Sequence, residues 1–94
     1  VMHFDWDDIK AAANVKNHDG VTFEEAETVF GDPLARIFDD DEHSYEENRN
    51  AIFGHSDQNR LLMVSYTERE NDTIRIISAR LATAKEARRY ANQT

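Results

Sequence analysis

The chain has 94 residues, enough for one small domain, and its hydrophobic content of 39% suffices for one core. The absence of cysteine excludes disulfides and thiolate metal sites, and no apolar run reaches the roughly 18 residues of a membrane-spanning helix. The net charge of −8 argues against a protein that coats nucleic acid electrostatically. The acidic start does not fit a signal peptide, so we expect a cytoplasmic protein.

The charge is unevenly distributed along the chain. Residues 1–47 hold 3 Lys/Arg and 14 Asp/Glu, whereas residues 48–94 hold 8 Lys/Arg and 5 Asp/Glu. One interpretation is that the protein has two surfaces with different partners. The other is a solvated acidic face that serves solubility.

The chain begins with a predicted strand and helix. HFDW (3–6) alternates aromatic with polar residues, as a strand does. Asp7 or Asp8 can cap the following Ala-rich segment, which favours a helix up to about Asn17.

The segment VTFEEAETVFGDP (21–33) carries the signals of a second helix. Thr22 and Glu25 fit a capping box, and the glycine and proline near the end of the segment stop the helix. LARIF (34–38) is then typical of a strand. The acidic connection DDDEHSYEE (39–47) lacks the glycine and the alternating ligands of an EF-hand loop, so we expect a solvated loop there.

Three strand-like segments follow, rich in β-branched and aromatic residues: NRNAIFGH (48–55), RLLMVSYTER (60–69) and TIRIISAR (73–80). Their hairpin-length links predict an antiparallel sheet, because parallel neighbours require crossover segments. Strand alternation puts Arg75 and Arg80 on opposite faces of the last strand. Either a bulge near Ser78 brings them onto one face, or only one of them belongs to a functional site.

A closing helix is predicted over residues 82–94, where Thr83 and Glu86 form a second capping box. The whole chain, 1–94, is therefore predicted to be a single α+β domain. Its expected architecture is an antiparallel β-sheet meander with two N-terminal helices and one C-terminal helix, in the order β-α-α-β-β-β-β-α.

Arginines are the main candidates for chemistry, since the common nucleotide, zinc-protease and serine-hydrolase motifs are absent. Arginine binds phosphate bidentately and stabilises charge on a phosphoryl group. The candidates near strand ends and on the last helix are Arg49, Arg69, Arg75, Arg80, Arg88 and Arg89. The alternative is that they pair with glutamates, namely Glu47, Glu68, Glu70 and Glu86.

His18 follows Lys16 near the end of the first helix and can act as a general acid or base near neutral pH. The alternative is a solvent-exposed or capping histidine. The four histidines lack close metal-ligand spacing, so neither a metal site nor a cofactor is predicted.

Several segments together resemble the BrnT-type toxins of bacterial toxin–antitoxin modules: WDDIKAAANVKNH, VTFEEAETVF, YTER and IRIISARLATAKEARRY. The resemblance extends from about Phe4 to Tyr90 and is most specific in ISAR-x-AT-x-x-E followed by a tyrosine. It implies a RelE/ParE-like fold and a metal-independent ribonuclease that inhibits growth. It also implies a BrnA-type antitoxin with a ribbon-helix-helix part, through which alone the toxin would reach DNA.

The resemblance also implies functional residues. The family's recurrent positions fall here on Trp6, Asp7, Lys10, Asn14, Lys16, His18, Glu47, Arg49, Arg69, Arg75, Ser78, Arg80, Glu86 and Tyr90. We expect Arg80 and Arg75 to stabilise phosphate charge and His18 or Lys16 to transfer a proton. We expect Glu47 to orient Arg49. Arg69, Lys10, Arg88 and Tyr90 are the predicted RNA-binding residues, whereas Trp6 is expected in the core.

Two other functions stay open from the sequence. A non-enzymatic protein could pair with the antitoxin and act as a co-repressor, since an acidic surface suits a basic partner better than RNA. A gyrase inhibitor of the ParE type would share the same fold.

Overall fold

The computed structural model describes residues 2–39 and 49–92. Its elements follow the predicted order β-α-α-β-β-β-β-α, with one short 3₁₀ turn, Val29–Gly31, after the second helix. The elements are β1 His3–Asp5, α1 Asp8–Asn17, α2 Phe23–Thr28, β2 Arg36–Asp39, β3 Asn50–His55, β4 Leu61–Arg69, β5 Thr73–Leu81 and α3 Ala84–Ala91. The predicted α+β class is confirmed. The acidic connection from residue 40 to residue 48 lies outside the described residues.

The five strands form one mixed sheet in the order β1-β5-β4-β3-β2. β2 to β5 form the predicted antiparallel meander. β1 departs from the prediction, since it pairs with β5 in parallel, with Phe4 opposite Ile74. A parallel pair needs a long connection, and the whole chain between the two strands supplies it.

One face of the sheet, here called the inner face, is covered by α1 and α2. Its core combines α2 residues such as Phe23 and Ala26 with sheet residues such as Leu62 and Ile76, all of them buried. Trp6 packs against this core, as predicted, with its ring centroid 5.9 Å from that of Phe23. No helix in the described ranges has the length and apolarity needed to cross a membrane.

A side chain of α1 completes the hydrogen bonding of β5 where β1 has ended. The Asn14 amide donates to the carbonyl of Ala79 (2.8 Å), and its oxygen accepts from the Ala79 N–H (3.0 Å). The same amide donates to the carbonyl of Val21 (3.0 Å). Because Asn14 is only 5% exposed, these bonds satisfy polar groups that water cannot reach. Asn14 therefore has a structural role in this fold.

A bulge in β5 decides which side chains share a face. Ser78 lies opposite Ser65, but Ile76 lies opposite the next residue, Tyr66, so Ile77 is an extra residue in the strand. The bulge reverses the alternation, so Ile76 and Ala79 both face the core. Of the two alternatives left open by the sequence, the bulge near Ser78 is the one present, and it puts Arg75 and Arg80 on the same face, against simple alternation.

The two predicted capping boxes have different outcomes. In α3 both bonds form, since the Thr83 hydroxyl accepts from the Glu86 N–H and the Glu86 carboxylate accepts from the Thr83 N–H. In α2 the Thr22 hydroxyl accepts from the Glu25 N–H, but the Glu25 carboxylate turns to Arg60 instead. Only the first half of that box is present, because the buried carboxylate takes the cationic partner.

Candidate functional site

The face of the sheet opposite α1 and α2, here called the outer face, carries Arg75 and Arg80. Residues directly opposite each other on neighbouring strands share a face. One such row runs from Arg80 through Met63 and Phe53 to Arg36. A second row joins Arg75 with Thr67 and, in the parallel direction, with Asp5. The sheet therefore presents several arginines to one side.

Arg80 is held by the first turn of α3. Its two terminal nitrogens donate to the two Glu86 carboxylate oxygens at 2.7 and 2.9 Å, and it also donates to the Leu81 carbonyl at 3.1 Å. The hydrogen bonds from Arg80 outweigh burial and lower the pKa of Glu86 to about 2. The same contact raises the pKa of Arg80. The guanidinium is thus a fixed charge in a defined position, and it is one-third exposed.

Arg75 and Arg69 lie at the other end of the outer face. Arg75 forms an ion pair with Asp5, with Nη1 3.2 Å from Oδ1, and the Arg69 Nε donates to the Thr67 hydroxyl at 3.2 Å. Together with Glu68, Glu70 and Thr73, the two arginines and Asp5 line an open depression. The carboxylates beside these arginines make the depression a weaker phosphate-binding site than arginines alone would be.

Arg49 precedes β3, one residue before the pair that joins Asn50 with Tyr66. By alternation from Ala51, it belongs to the outer face. Its predicted partner Glu47 lies outside the described residues, so the expected Glu47–Arg49 contact stays a prediction.

A cavity of about 160 Å³ lies between α3 and the outer face of β2 and β3. It combines three arginine or glutamate side chains with three aromatic rings, namely Arg36, Glu86, Arg89, Phe38, Phe53 and Tyr90. The sequence analysis did not identify the β2 and β3 residues of this set. The i, i+2 spacing of Arg36 and Phe38 in LARIF is the signal that could have found them.

Tyr90 lines this cavity and is hydrogen-bonded to the carboxylate of Asp32. Its hydroxyl donates to Asp32 Oδ2 at 2.7 Å, and the same oxygen accepts from the His55 backbone N–H at 2.7 Å. Burial and the hydrogen bond to Asp32 raise the pKa of Tyr90 to about 12. Burial opposes ionisation of Asp32, but hydrogen bonds from His55, Leu34 and Tyr90 outweigh it and lower the pKa of this carboxyl. Tyr90 is therefore neutral, and its hydroxyl does not bond to the strand arginines.

The imidazole of His55 lies beside this cluster and is a candidate that the sequence analysis did not identify. Its Nδ1 is 3.9 Å from Asp32 Oδ2, and its ring centroid is 5.3 Å from that of Tyr90. With 44% of its side chain exposed, it is accessible from solvent.

The predicted residues of α1 lie in the helical layer. His18 is the C-cap of α1 and donates its backbone N–H to the Asn14 carbonyl. Lys16 is two residues past Asn14, about 200° around the helix, so it points away from the sheet. Lys10 and, on α3, Arg88 are exposed. No hydrogen bond or ion pair joins His18 or Lys16 to Arg75 or Arg80 among residues 2–39 and 49–92.

Of the four predicted glutamate partners, Glu86 pairs with an arginine, Arg80. The described part of the chain holds no cluster of three or more His, Asp or Glu side chains that could bind a metal ion.

The comparison with protein families identifies the family of this chain. The model of the family described as "Ribonuclease toxin, BrnT, of type II toxin-antitoxin system" matches residues 6–86. The chain belongs to this family. Membership makes it a BrnT ribonuclease toxin, whose activity is that of an endoribonuclease, with RNA as substrate and an antitoxin as partner. The family resemblance noted in the sequence is thereby confirmed.

A solved structure supports the fold. The crystal structure of the Brucella abortus ribonuclease toxin BrnT, at 1.1 Å resolution, superposes with a TM-score of 0.67. The match covers 88% of this chain and 99% of that chain at 21% sequence identity. A search of curated proteins found no match. At this identity the likeness establishes the fold and leaves the roles of individual residues to be argued from the site.

Proposed function

We propose that this BrnT toxin binds and cleaves RNA on the outer face of its sheet, without a metal ion. The observation that supports the proposal is the β5 bulge, which puts Arg75 and Arg80 on one face. RNA carries a charge at every phosphate, so a face with several arginines can follow its backbone. We also propose that the toxin acts in the cytoplasm, where its substrate is found.

In the proposed reaction, the RNA's own 2′-hydroxyl attacks the adjacent phosphorus atom. The new O–P bond forms as the bond to the 5′-oxygen breaks, which leaves a cyclic phosphate and a free 5′-hydroxyl. One group removes the proton of the nucleophile and another protonates the leaving oxygen. Arg80 binds the phosphate being cleaved and stabilises its charge in the transition state, because its guanidinium is fixed by Glu86.

Arg75 serves a different phosphate in this proposal. Four residues lie between it and Arg80, one of them the extra residue of the bulge. The partner residues Met63 and Thr67 are four steps apart on β4, so at about 3.3 Å per step the two arginine Cα atoms are roughly 13 Å apart. Two side chains at that distance suit two phosphates of one RNA strand better than a single one. We therefore assign Arg75, with Arg69 and Arg49 beside it, to binding and positioning of the RNA.

Two histidines are alternative candidates for proton transfer. His18, with Lys16 near it, is the candidate from the family resemblance, but it caps α1 in the helical layer, on the other side of the sheet from Arg80. His55 is the candidate from geometry, because it lies against Tyr90 at the cavity. Alanine replacements distinguish the two candidates. Replacing the histidine that transfers the proton should remove one limb of the pH–rate profile, whereas replacing the other should leave the profile unchanged.

The main test is Arg80→Ala in purified, antitoxin-free protein. We expect RNA cleavage and growth arrest to be lost, while excess EDTA leaves wild-type cleavage unchanged. Lys85→Ala is the matched control, since it removes an exposed positive charge of α3 that lies outside the cavity and keeps the Arg80–Glu86 pair. Cleavage that survives in Arg80→Ala, or that stops in EDTA, would contradict the proposal. Intact RNA at high excess of the wild-type toxin would instead support the non-enzymatic co-repressor.

We further propose that the antitoxin is a BrnA-type protein with a ribbon-helix-helix DNA-binding part. The family membership supports an antitoxin, and the net charge of −8 makes the toxin alone a poor DNA ligand. A gel-shift assay on the module's own promoter tests this. The complex should shift the DNA, whereas the toxin alone should not, and a shift by the toxin alone would contradict it.

A further inference from the structure

The cavity between α3 and the outer face has the features of a site for a single nucleobase. We propose that it is a subsite for one unpaired cytosine of the RNA, with Arg36 and Arg89 binding the phosphate attached to it. The inference rests on the proposed function and makes it specific, since it names the base that the toxin prefers beside the cleaved bond.

The walls of the cavity are aromatic and partly exposed. The ring of Phe38 is 38% exposed and packs edge-to-face on Phe53, with centroids 5.6 Å apart and an interplanar angle of 78°. Tyr90 closes the opposite side, fixed by its hydrogen bond to Asp32. Proteins recognise unpaired RNA bases by stacking them on such rings.

The size of the cavity suits a small base. Its volume is about 160 Å³. A buried apolar cavity of roughly 150 Å³ holds one benzene molecule, so a single six-membered pyrimidine ring fits in this partly open cavity.

Glu86 distinguishes between the two pyrimidines. Its Oε1 accepts from Arg80 and from the Thr83 N–H, and its Oε2 accepts from Arg80, so Oε2 keeps accepting capacity. A carboxylate accepts a hydrogen bond from the exocyclic amino group of cytosine. Uracil has a carbonyl oxygen at that position, which the carboxylate repels.

Two cations at the rim are available for phosphate. Arg36 lies over the Phe38 ring, with its Cζ 5.7 Å from the centroid, and Arg89 lines the cavity from α3. Neither arginine forms an ion pair with a carboxylate within the described ranges. A nucleotide bound in the cavity would therefore lie against aromatic rings and beside two guanidinium groups that form no ion pair within the described ranges.

The experiment is an NMR titration of the antitoxin-free toxin with cytidine, uridine and adenosine monophosphates. We expect saturable shifts at Phe53, Tyr90 and Arg89, and tighter binding of the cytidine nucleotide than of the uridine nucleotide by about fivefold or more. Phe38→Ala, on the edge strand, should weaken cytidine monophosphate binding at least about fivefold. Lys85→Ala is the matched control, since it removes a charge from an exposed position of α3 outside the cavity.

Each other outcome counts against the subsite. Equal affinities for the nucleotides, shifts elsewhere on the protein, or no binding would overturn the inference. A parallel cleavage assay on the wild type separates the two proposals. Cleaved RNA without cytidine monophosphate binding removes only the subsite, and binding without cleavage removes only the ribonuclease mechanism.

Discussion

Glu86 shows how one residue can serve both the helix and the site. Its carboxylate caps α3 and also fixes Arg80, and its pKa of about 2 measures how strongly the folded protein prefers the ionised form. A carboxyl group whose pKa is lowered by folding stabilises the protein above its unfolded pKa, here near 4.5. This contribution is lost as the pH falls from about 4.5 through about 2.

We therefore predict that Glu86→Gln lowers the thermal midpoint at pH 7 and has little effect near pH 2. The cost at neutral pH should be on the order of 1 kcal/mol, because the ion pair is partly exposed. Thermal unfolding of both proteins at several pH values provides the measurement. A difference that stays constant between pH 7 and pH 2 would show that the charge of Glu86 does not stabilise the fold.

Asn14 is one of the positions that the family resemblance marks as recurrent, and its role in this structure is structural. Asn14→Ala would leave the N–H and carbonyl of Ala79 without the partners that they have in the folded protein. We predict a loss of about 2–4 kcal/mol in the free energy of unfolding, since buried polar groups without partners cost that much. Urea denaturation measures it, with the exposed Asn17→Ala of the same helix as control. A loss no larger than that of Asn17→Ala would contradict this role.

At the scale of elements, an ion pair between a buried glutamate and a partly exposed arginine connects α2 to the β3–β4 hairpin. The Glu25 carboxylate is 3% exposed, accepts from the Ser56 hydroxyl at 2.7 Å and forms an ion pair with Arg60. The hydrogen bonds from Arg60 outweigh burial and lower the pKa of Glu25. The arginine also donates to the Asp19 carbonyl at 3.3 Å, so it connects the hairpin to the loop before α2 as well.

We predict that Arg60→Ala destabilises the protein by about 3–5 kcal/mol, because it leaves a buried carboxylate without its cation. A double variant that also replaces Glu25 by glutamine should be less destabilised than Arg60→Ala alone, since it no longer buries an unpaired charge. Urea denaturation of the two variants provides the comparison. Additive losses would mean that the two side chains act independently.

The elements were predictable from sequence to the extent that their signals are local. Caps such as Thr83 with Glu86, and the apolar patterns of β3 to β5, depend on residues a few positions apart, and those predictions are confirmed. The parallel β1–β5 pair and the extra residue Ile77 depend on which distant segments meet. Alternation within one strand could suggest a bulge near Ser78 but could not establish it, because a bulge is defined by the register against the partner strand.

The same limit applies to the candidate site. Arg75 and Arg80 were identified as residues, but their common face follows from the bulge. The cavity was missed because it joins β2, β3 and α3, whose contacts are long-range.

At the scale of the whole molecule, a net charge of −8 repels an anionic substrate. RNA can therefore bind only at a surface region where positive charges are concentrated. The outer face makes this possible because its arginines are separated from the helical layer by the sheet itself. Residues such as Lys16, which points away from the sheet, contribute little to a field on the outer face at physiological salt, where charges are screened within about 8 Å.

This separation predicts a measurable salt dependence. The slope of log affinity against log salt concentration for single-stranded RNA falls by about 0.7 for each phosphate contact that is lost. We expect Arg75→Ala to reduce the slope by about that amount and to weaken RNA binding, whereas Lys16→Ala should leave both unchanged. Fluorescence anisotropy with a labelled oligonucleotide at several salt concentrations provides the measurement. The opposite result, a reduced slope in Lys16→Ala and an unchanged slope in Arg75→Ala, would move the RNA to the helical layer, beside His18, and would refute the assignment of the outer face.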